Sequence, residues 1–302
     1  MARLVIAMWG RLAGETRASR RLVEYDTNDF SQIVQSREVS QSENLAYDPS
    51  RNELITISRS AYRYNAITLA QTAFIGSSSI GSSDTPDYGG LERLAYDPSR
   101  DVVIGFVNRG YAGDGQAITD RVLEYPYPVS GNLRITDLDR GLPTPATSEY
   151  KGAAYVDGNV WSAVKPRGSS RGRIYVYRSG SYSSIRSQFD LPRRNGRNSV
   201  WAEALAYDEV KDLLYLMVTS SDSSSSVSQS LCTMKVSDTS RYVDENILLG
   251  GLDDAGPLYA GAFHGVSLVS NPKALVGSDG VKAMYLGHQE VKGAYYGSNR
   301  VF

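Results

Sequence analysis

Apolar residues in this chain come in short runs of four to eight, set between clusters of Gly, Ser, Asn, Asp and Pro. Val, Thr and Tyr recur within the runs and no stretch sustains a helical period, which predicts an all-β protein. Leu54-Ile55-Thr56-Ile57, Val102-Val103-Ile104-Gly105-Phe106-Val107, Val160-Trp161-Ser162-Ala163-Val164 and Leu213-Leu214-Tyr215-Leu216-Met217-Val218 are representative strands.

These runs belong to a repeat. Glu43-Asn44-Leu45-Ala46-Tyr47-Asp48-Pro49-Ser50-Arg51 returns 49 residues later as Glu92-Arg93-Leu94-Ala95-Tyr96-Asp97-Pro98-Ser99-Arg100. Glu203-Ala204-Leu205-Ala206-Tyr207-Asp208 is a third copy and Lys151-Gly152-Ala153-Ala154-Tyr155-Val156-Asp157-Gly158 a divergent one. Ala260-Gly261-Ala262-Phe263-His264-Gly265 is a weak one. Each clear copy leads through a polar turn into an apolar run, then a variable loop and a third strand such as Ile174-Tyr175-Val176-Tyr177. A weaker fourth strand, such as Leu133-Arg134-Ile135-Thr136, follows. Four short antiparallel strands in a unit of about 50 residues predict a propeller blade. In the turn, Asp48, Asp97 and Asp208 are placed to cap the backbone, and Pro presets φ. The small Ala beside the large Tyr suits an inner strand squeezed between neighbouring blades.

The chain begins with a second-type strand, Leu4 to Trp9, and a third-type strand, Leu22 to Tyr25, with no inner strand ahead of them. Lys292-Gly293-Ala294-Tyr295-Tyr296 resembles Lys151-Gly152-Ala153-Ala154-Tyr155 and is the expected missing strand. Closing the ring with it would remove the exposed edges of an open seam. The expectation is an all-β β-propeller, one domain over residues 1–302, with six blades and a short sixth. Five blades, with residues 250–291 as an elaborated connection, is the alternative.

A formal net charge of −1 leaves no basic excess, which argues against a nucleic-acid partner. Cys232 is the only cysteine, and His264 and His288 are the only histidines, so intramolecular disulfides, cysteine-rich zinc clusters and most histidine-based metal sites are excluded. His264 follows Phe263 where other copies carry Asp, and reads as a turn variant. The opening apolar run is too short for a signal peptide, and nothing approaches the ~18 residues of a membrane span. The expectation is a soluble protein without membrane insertion, cytoplasmic or virion-associated.

In a propeller, the loop entering each inner strand and the loop leaving each second strand share a face. Here the first kind is acidic, with Glu43, Glu92 and Glu203 four residues before the repeat tyrosine and Glu149 and Glu290 six before theirs. The second kind is basic, with Arg11, Arg59, Arg109 and Arg167. One reading is a set of Glu–Arg pairs that fix blade geometry, about 0–1 kcal/mol each where exposed. The other is a ring of carboxylates at the channel mouth that binds a hard cation such as Ca2+. The long loops Tyr111–Gln116 and Arg167–Gly172 have the Ser, Gly, Tyr and Arg content of recognition surfaces. The run Ser220–Ser226 reads as a solvated loop. Arg59, Arg109, Arg167, Tyr111 and Asp114 are therefore candidate binding residues, and Glu43, Glu92 and Glu203 candidate metal ligands.

The unit Glu-x-x-x-Tyr-Asp-Pro followed by a turn and an apolar strand, clearest at residues 43–57 and 92–107, resembles six-bladed propellers of the SMP-30/gluconolactonase and NHL-like group. In the lactonase branch a glutamate at this kind of position helps to hold a divalent cation, so the resemblance implies that role for Glu43, Glu92 and Glu203. No G-x-S-x-G elbow, Walker loop or H-E-x-x-H motif occurs. The reading favoured by the residues is a non-enzymatic binding or assembly propeller, without a cofactor, that recognises a protein or glycan. A phage virion or tail is one setting for it. A metal-dependent lactonase or phytase-like hydrolase is the alternative.

Overall fold

The computed structural model describes residues 2–40, 44–57, 60–76, 93–107, 121–127, 134–138, 148–166, 169–194, 199–221, 227–252, 263–269, 273–277, 280–286, 289–290, 295–296 and 299–300. Among them the chain forms five four-stranded antiparallel sheets. Blade 1 contains β1 (Arg3–Gly10), β2 (Ser19–Asp26) and β3 (Gln35–Glu38). Blade 2 is β4 (Ala46–Asp48), β5 (Glu53–Ile57), β6 (Ala61–Asn65) and β7 (Gln71–Ile75). Blade 3 is β8 (Arg93–Asp97), β9 (Val102–Val107), β10 (Arg121–Pro126) and β11 (Arg134–Asp137). Blade 4 is β12 (Ser148–Val156), β13 (Asn159–Pro166), β14 (Arg173–Arg178) and β15 (Ser187–Asp190). Blade 5 is β16 (Ser199–Asp208), β17 (Leu213–Ser221), β18 (Val227–Lys235) and β19 (Tyr242–Ile247). The inner strand of blade 1 is β20 (Phe263–Val269), which runs antiparallel to β1 with Arg3 opposite Val269 and Ala7 opposite Gly265.

Two expectations are corrected here. The ring has five blades, not six: the inner strands touch in the cyclic order β20, β4, β8, β12, β16 and back to β20. Closure comes from the weak repeat copy at 260–265, not from the one at 292–296. Tyr295–Tyr296 instead pairs with Asn299–Arg300 in a two-stranded hairpin. Residues 273–277, 280–286 and 289–290 make a three-stranded sheet that pairs with none of the five blades among the described residues. The copy at 260–265 lacks Tyr-Asp-Pro for a physical reason. That motif serves the turn from an inner strand into the second strand of the same blade, and β20 makes no such turn because its second strand is β1.

Packing confirms the closure. Five apolar clusters fill the five seams, each drawing on two adjacent blades. Leu4, Ile6 and Met8 face blade 5 through Tyr215 and Met217, while Val5 and Ala7 face blade 2 through Leu45 and Leu54. Successive side chains of a strand point to opposite faces, so a strand covered on both sides needs apolar residues at consecutive positions. This is why the second strands read as unbroken apolar runs.

The repeated turn works as its residues suggest. Oδ1 of the buried Asp48 accepts the Ser50 and Arg51 amides at 2.8 and 3.3 Å, and Asp208 does the same for Val210 and Lys211 at 3.0 and 3.1 Å. Asn52, Asp101 and Asp212 close the three turns at φ of 55°, 54° and 53°, a left-handed conformation that Asn and Asp tolerate better than most residues. The basic residue before each of them reaches into the next blade. Arg51 of blade 2 contacts Asp101 of blade 3, Arg100 of blade 3 contacts Ser179 and Tyr182 of blade 4, and Lys211 of blade 5 contacts Thr27 and Asn28 of blade 1. These turns define the lower face of the ring. The inner strands begin, and the second strands end, at the upper face.

Candidate functional site

Near the upper face the inner strands of blades 4, 5 and 1 each carry a one-residue irregularity. Pairing passes over Lys151 between Tyr150 and Gly152, over Glu203 between Ala202 and Ala204, and over His264 between Phe263 and Gly265. An extra residue of this kind is left unpaired in the ladder. His264 is thus the counterpart of Glu203 and Lys151 at the upper end of its strand, which corrects its reading as a turn residue. Glu43 and Glu92 hold the same place in the repeat; they lie outside the described residues, as do Arg59, Arg109, Arg167, Tyr111 and Asp114.

Around Glu203 the upper end of the channel collects charge from three blades. The Trp201 indole Nε1 donates to Glu203 Oε1 at 2.5 Å, and the Thr219 hydroxyl donates to the same oxygen at 3.3 Å. Lys165 Nζ of blade 4 sits 3.9 Å from the centroid of the Trp201 ring. Glu149 pairs with Lys151 at 2.8 Å. That ion pair is the main reason its carboxyl is held below the usual range, with Lys165 and Arg93 adding to the effect. Arg93, at the start of β8, is 8% exposed. Burial pushes its pKa down to about 10, and the negative charges of Glu203 and Glu149 oppose that fall.

Five charged side chains of both signs therefore meet where β8, β12 and β16 enter the ring. Of the candidates read from sequence, the described residues place Glu203 here and bring Glu149 beside it. Among the described residues the cations that act on them are Arg93, Lys151 and Lys165. Sequence reasoning passed over Arg93, although a signal existed: the place after the repeat glutamate is Asn44, Gly152, Ala204 or Gly265 in other blades. A large cation where the others are small or neutral marks this blade as different. Gly152 shows why small residues are needed there. A Cβ on it would lie 2.7 Å from Ala204 Cα, so the inner strands of blades 4 and 5 are in backbone contact.

Other upper-face features differ from expectation. The described part of the loop, residues 169–172, is tied down. Gly172 N donates to Val200 O at 2.5 Å, Val200 N to Ser170 O at 2.9 Å, and the Arg171 guanidinium donates to Leu191 O. Trp9, at the upper end of β1, is 50% exposed, with the Arg20 guanidinium 5.8 Å from its ring centroid. Cys232 is buried, and burial pushes its thiol up to about 12, so it is not a thiolate near neutral pH. Among the described residues no three of His, Cys, Asp and Glu converge as a metal would require. No helix there is long and apolar enough to cross a membrane.

No protein-family model and no curated protein matches the sequence. Among solved structures the chain is similar to the Neurospora crassa Pan2 WD40 domain, at 8% identity and a TM-score of 0.41, over 79% of this chain and 66% of that one. It spans just under two thirds of that domain's length. A luciferin-regenerating enzyme matches at 12% identity and a TM-score of 0.43, over 79% of this chain and 75% of that one. Saccharomyces cerevisiae Sqt1 matches at 14% identity and a TM-score of 0.36, over 72% of this chain and 64% of that one.

Proposed function

We propose that this protein is a non-enzymatic binding propeller that docks a protein partner on its upper face, around the channel mouth. One observation carries the reading. Two of the three tryptophans lie at that face, each with a cation near its ring, Lys165 at Trp201 and Arg20 at Trp9, while Trp161 is buried. Tryptophan and arginine dominate the energetic centres of protein interfaces because they combine apolar area with a polar handle. The Lys165–Trp201 contact, about 0.5–1 kcal/mol in water, gains strength when a partner excludes solvent. The charged side chains from three blades present both signs of charge, which favours selectivity over bulk affinity. Lys165 also covers one face of the Trp201 ring, the surface on which a sugar would stack, and this favours a protein over a glycan.

The test is capture from cells of the source, comparing the unaltered protein with Trp201→Ala, Trp9→Ala and Lys165→Glu. Val210→Ser, at a 73% exposed position in a lower-face turn, is the control. A partner retained by Val210→Ser and bound about 30-fold more weakly by the Trp201 variant, as for an interface centre worth ~2 kcal/mol, supports the reading. Equal capture by all variants overturns it.

A further inference from the structure

We infer that the upper end of the seam between blades 4 and 5 holds a binding site for a tetrahedral oxyanion, phosphate or sulfate, built from Arg194 and the hydroxyls of Ser220, Ser228 and Ser230. The alternation of the β17–β18 hairpin creates it. Ser220 lies opposite Ser228, Val218 opposite Ser230 and Thr219 opposite Gln229. With a side-chain period of two, Thr219 and Gln229 share one face, where they join through a hydrogen bond of 3.2 Å and reach Glu203. Ser220, Ser228 and Ser230 share the other. Arg194 NH1 stands over that second face, 3.4 Å from Ser220 Oγ and 3.3 Å from Ser230 Oγ, and Ser220 and Ser228 are joined at 3.2 Å.

Three features make this a ligand site rather than a surface arginine. Among the described residues Arg194 makes no ion pair. Its contacts there are neutral hydroxyls, and a guanidinium has five donors of which these use few. The chain three residues before it is anchored: Leu191 is buried, its amide donates to Gly172 O at 2.9 Å, and its carbonyl accepts from the Arg171 guanidinium at 2.7 Å. Tyr242, of the same blade and within electrostatic reach of Arg194, has a buried hydroxyl with no hydrogen-bond partner among the described residues. A planar fork beside rotatable hydroxyls matches the several acceptor oxygens of a phosphoryl or sulfate group. The site is separate from the channel-mouth cluster, and its test needs no partner protein.

The test is thermal unfolding of the full chain at constant ionic strength, titrated with sodium phosphate, sodium sulfate and O-phosphoserine, and with sodium chloride as the baseline. The expected result is a saturable rise in Tm beyond chloride, at least tenfold weaker in apparent affinity for Arg194→Gln and several-fold weaker for Ser230→Ala. Arg241→Gln, at an exposed arginine of the same blade, should respond as the unaltered protein. Saturation by phosphate and sulfate alike assigns the free ion; saturation by O-phosphoserine alone assigns an esterified group; either supports the site. If Arg194→Gln does not fold, Ser230→Ala and Ser228→Ala decide the matter. No rise beyond chloride, or an equal rise in these variants, overturns the inference.

Discussion

Arg51 of blade 2 holds Asp101 of blade 3 through two parallel hydrogen bonds, NH1 to Oδ1 at 2.7 Å and NH2 to Oδ2 at 2.8 Å, with its guanidinium carbon 3.9 Å from the Tyr127 ring centroid. The same NH1 donates to Asp48 of its own turn at 2.8 Å, so one side chain joins two blades. Both partners are more than a third exposed, and solvent screening limits the Arg51–Asp101 coupling to about 1 kcal/mol or less in a double-mutant cycle. Arg51→Lys should lose most of it, because an ammonium cannot make the forked contact or stack on Tyr127. Urea unfolding of the four proteins gives the value; an Arg51→Lys variant as stable as the parent would contradict the account.

Blade 5 carries lysine where blades 2 and 3 carry arginine, and the consequence is visible in Asp208. Its Oδ2 is buried without a hydrogen-bond partner among the described residues, whereas the Oδ2 atoms of Asp48 and Asp97 accept from Arg51 and Arg100. Lys211 is spent on Thr27 and Asn28. Lys211→Arg should reach both sides and stabilise the protein by about 1 kcal/mol, the worth of one hydrogen bond to a buried acceptor. Destabilisation in the same urea assay would refute this.

Acid should act through the same turns. Arg51 is the main reason Asp101 is held below the ordinary carboxylate range, with Tyr96 assisting. For Asp97 burial pulls upward, and hydrogen bonds from Ser179, Ser99 and Arg100 outweigh it. A carboxylate whose pKa is lower in the folded state adds stability that is complete above its unfolded value of about 4 and disappears as pH falls through the folded value. Stability should therefore be level above about pH 5 and fall below about pH 4. Asp97→Asn should be weaker at neutral pH, with a shallower acid limb; an identical limb would show that Asp97 does not contribute.

Gly152→Ala probes the contact between inner strands. The added Cβ meets backbone atoms of Ala204 and Glu203, which cannot rotate away, so a loss of about 1–3 kcal/mol is expected as for other overpacking changes. Proteolysis or hydrogen exchange should show blades 4 and 5 loosening first. A neutral change would mean that the strands separate more readily than the packing implies.

Metal titration separates the two readings of Glu203. Its Oε1 already accepts from Trp201 and Thr219 and Arg93 supplies positive charge nearby, a donor set suited to an ion pair. Calcium, magnesium and zinc added to EDTA-treated protein should leave Tm unchanged, and Glu203→Gln should cost about 1–3 kcal/mol by removing a partner of a buried cation. A saturable rise in Tm that Glu203→Gln abolishes would put the hydrolase reading first.

The blades were legible because a turn imposes chemistry on particular positions. Asp48, Asp97 and Asp208 had to cap, and Pro49 and Pro98 could preset φ, so the copies stayed recognisable. The strand Phe263–Val269 was not legible in its true register, since no turn follows it within its blade and nothing demands Asp or Pro after Leu268. Tyr295 and Tyr296 misled for the converse reason: two tyrosines after a Gly-Ala pair mimic the strand without its partners. At the site, Glu203 was visible because it repeats, whereas Arg93 and Lys165 depend on which blades the ring brings together. Trp201 and Arg194 likewise act through neighbours that only the closed ring supplies.

That ring is the premise of both sites, and a cysteine pair tests it directly. Val5 in β1 and Ser267 in β20 are directly opposed, and antiparallel partners lie about 4.5–5.5 Å apart at Cα, within disulfide reach. With Cys232 replaced by Ser, the double variant Val5→Cys/Ser267→Cys should oxidise to an intramolecular disulfide, while Val5→Cys/Tyr295→Cys should remain reduced. The opposite outcome, a bond to position 295 and none to 267, would contradict five blades and return closure to the last strands of the chain.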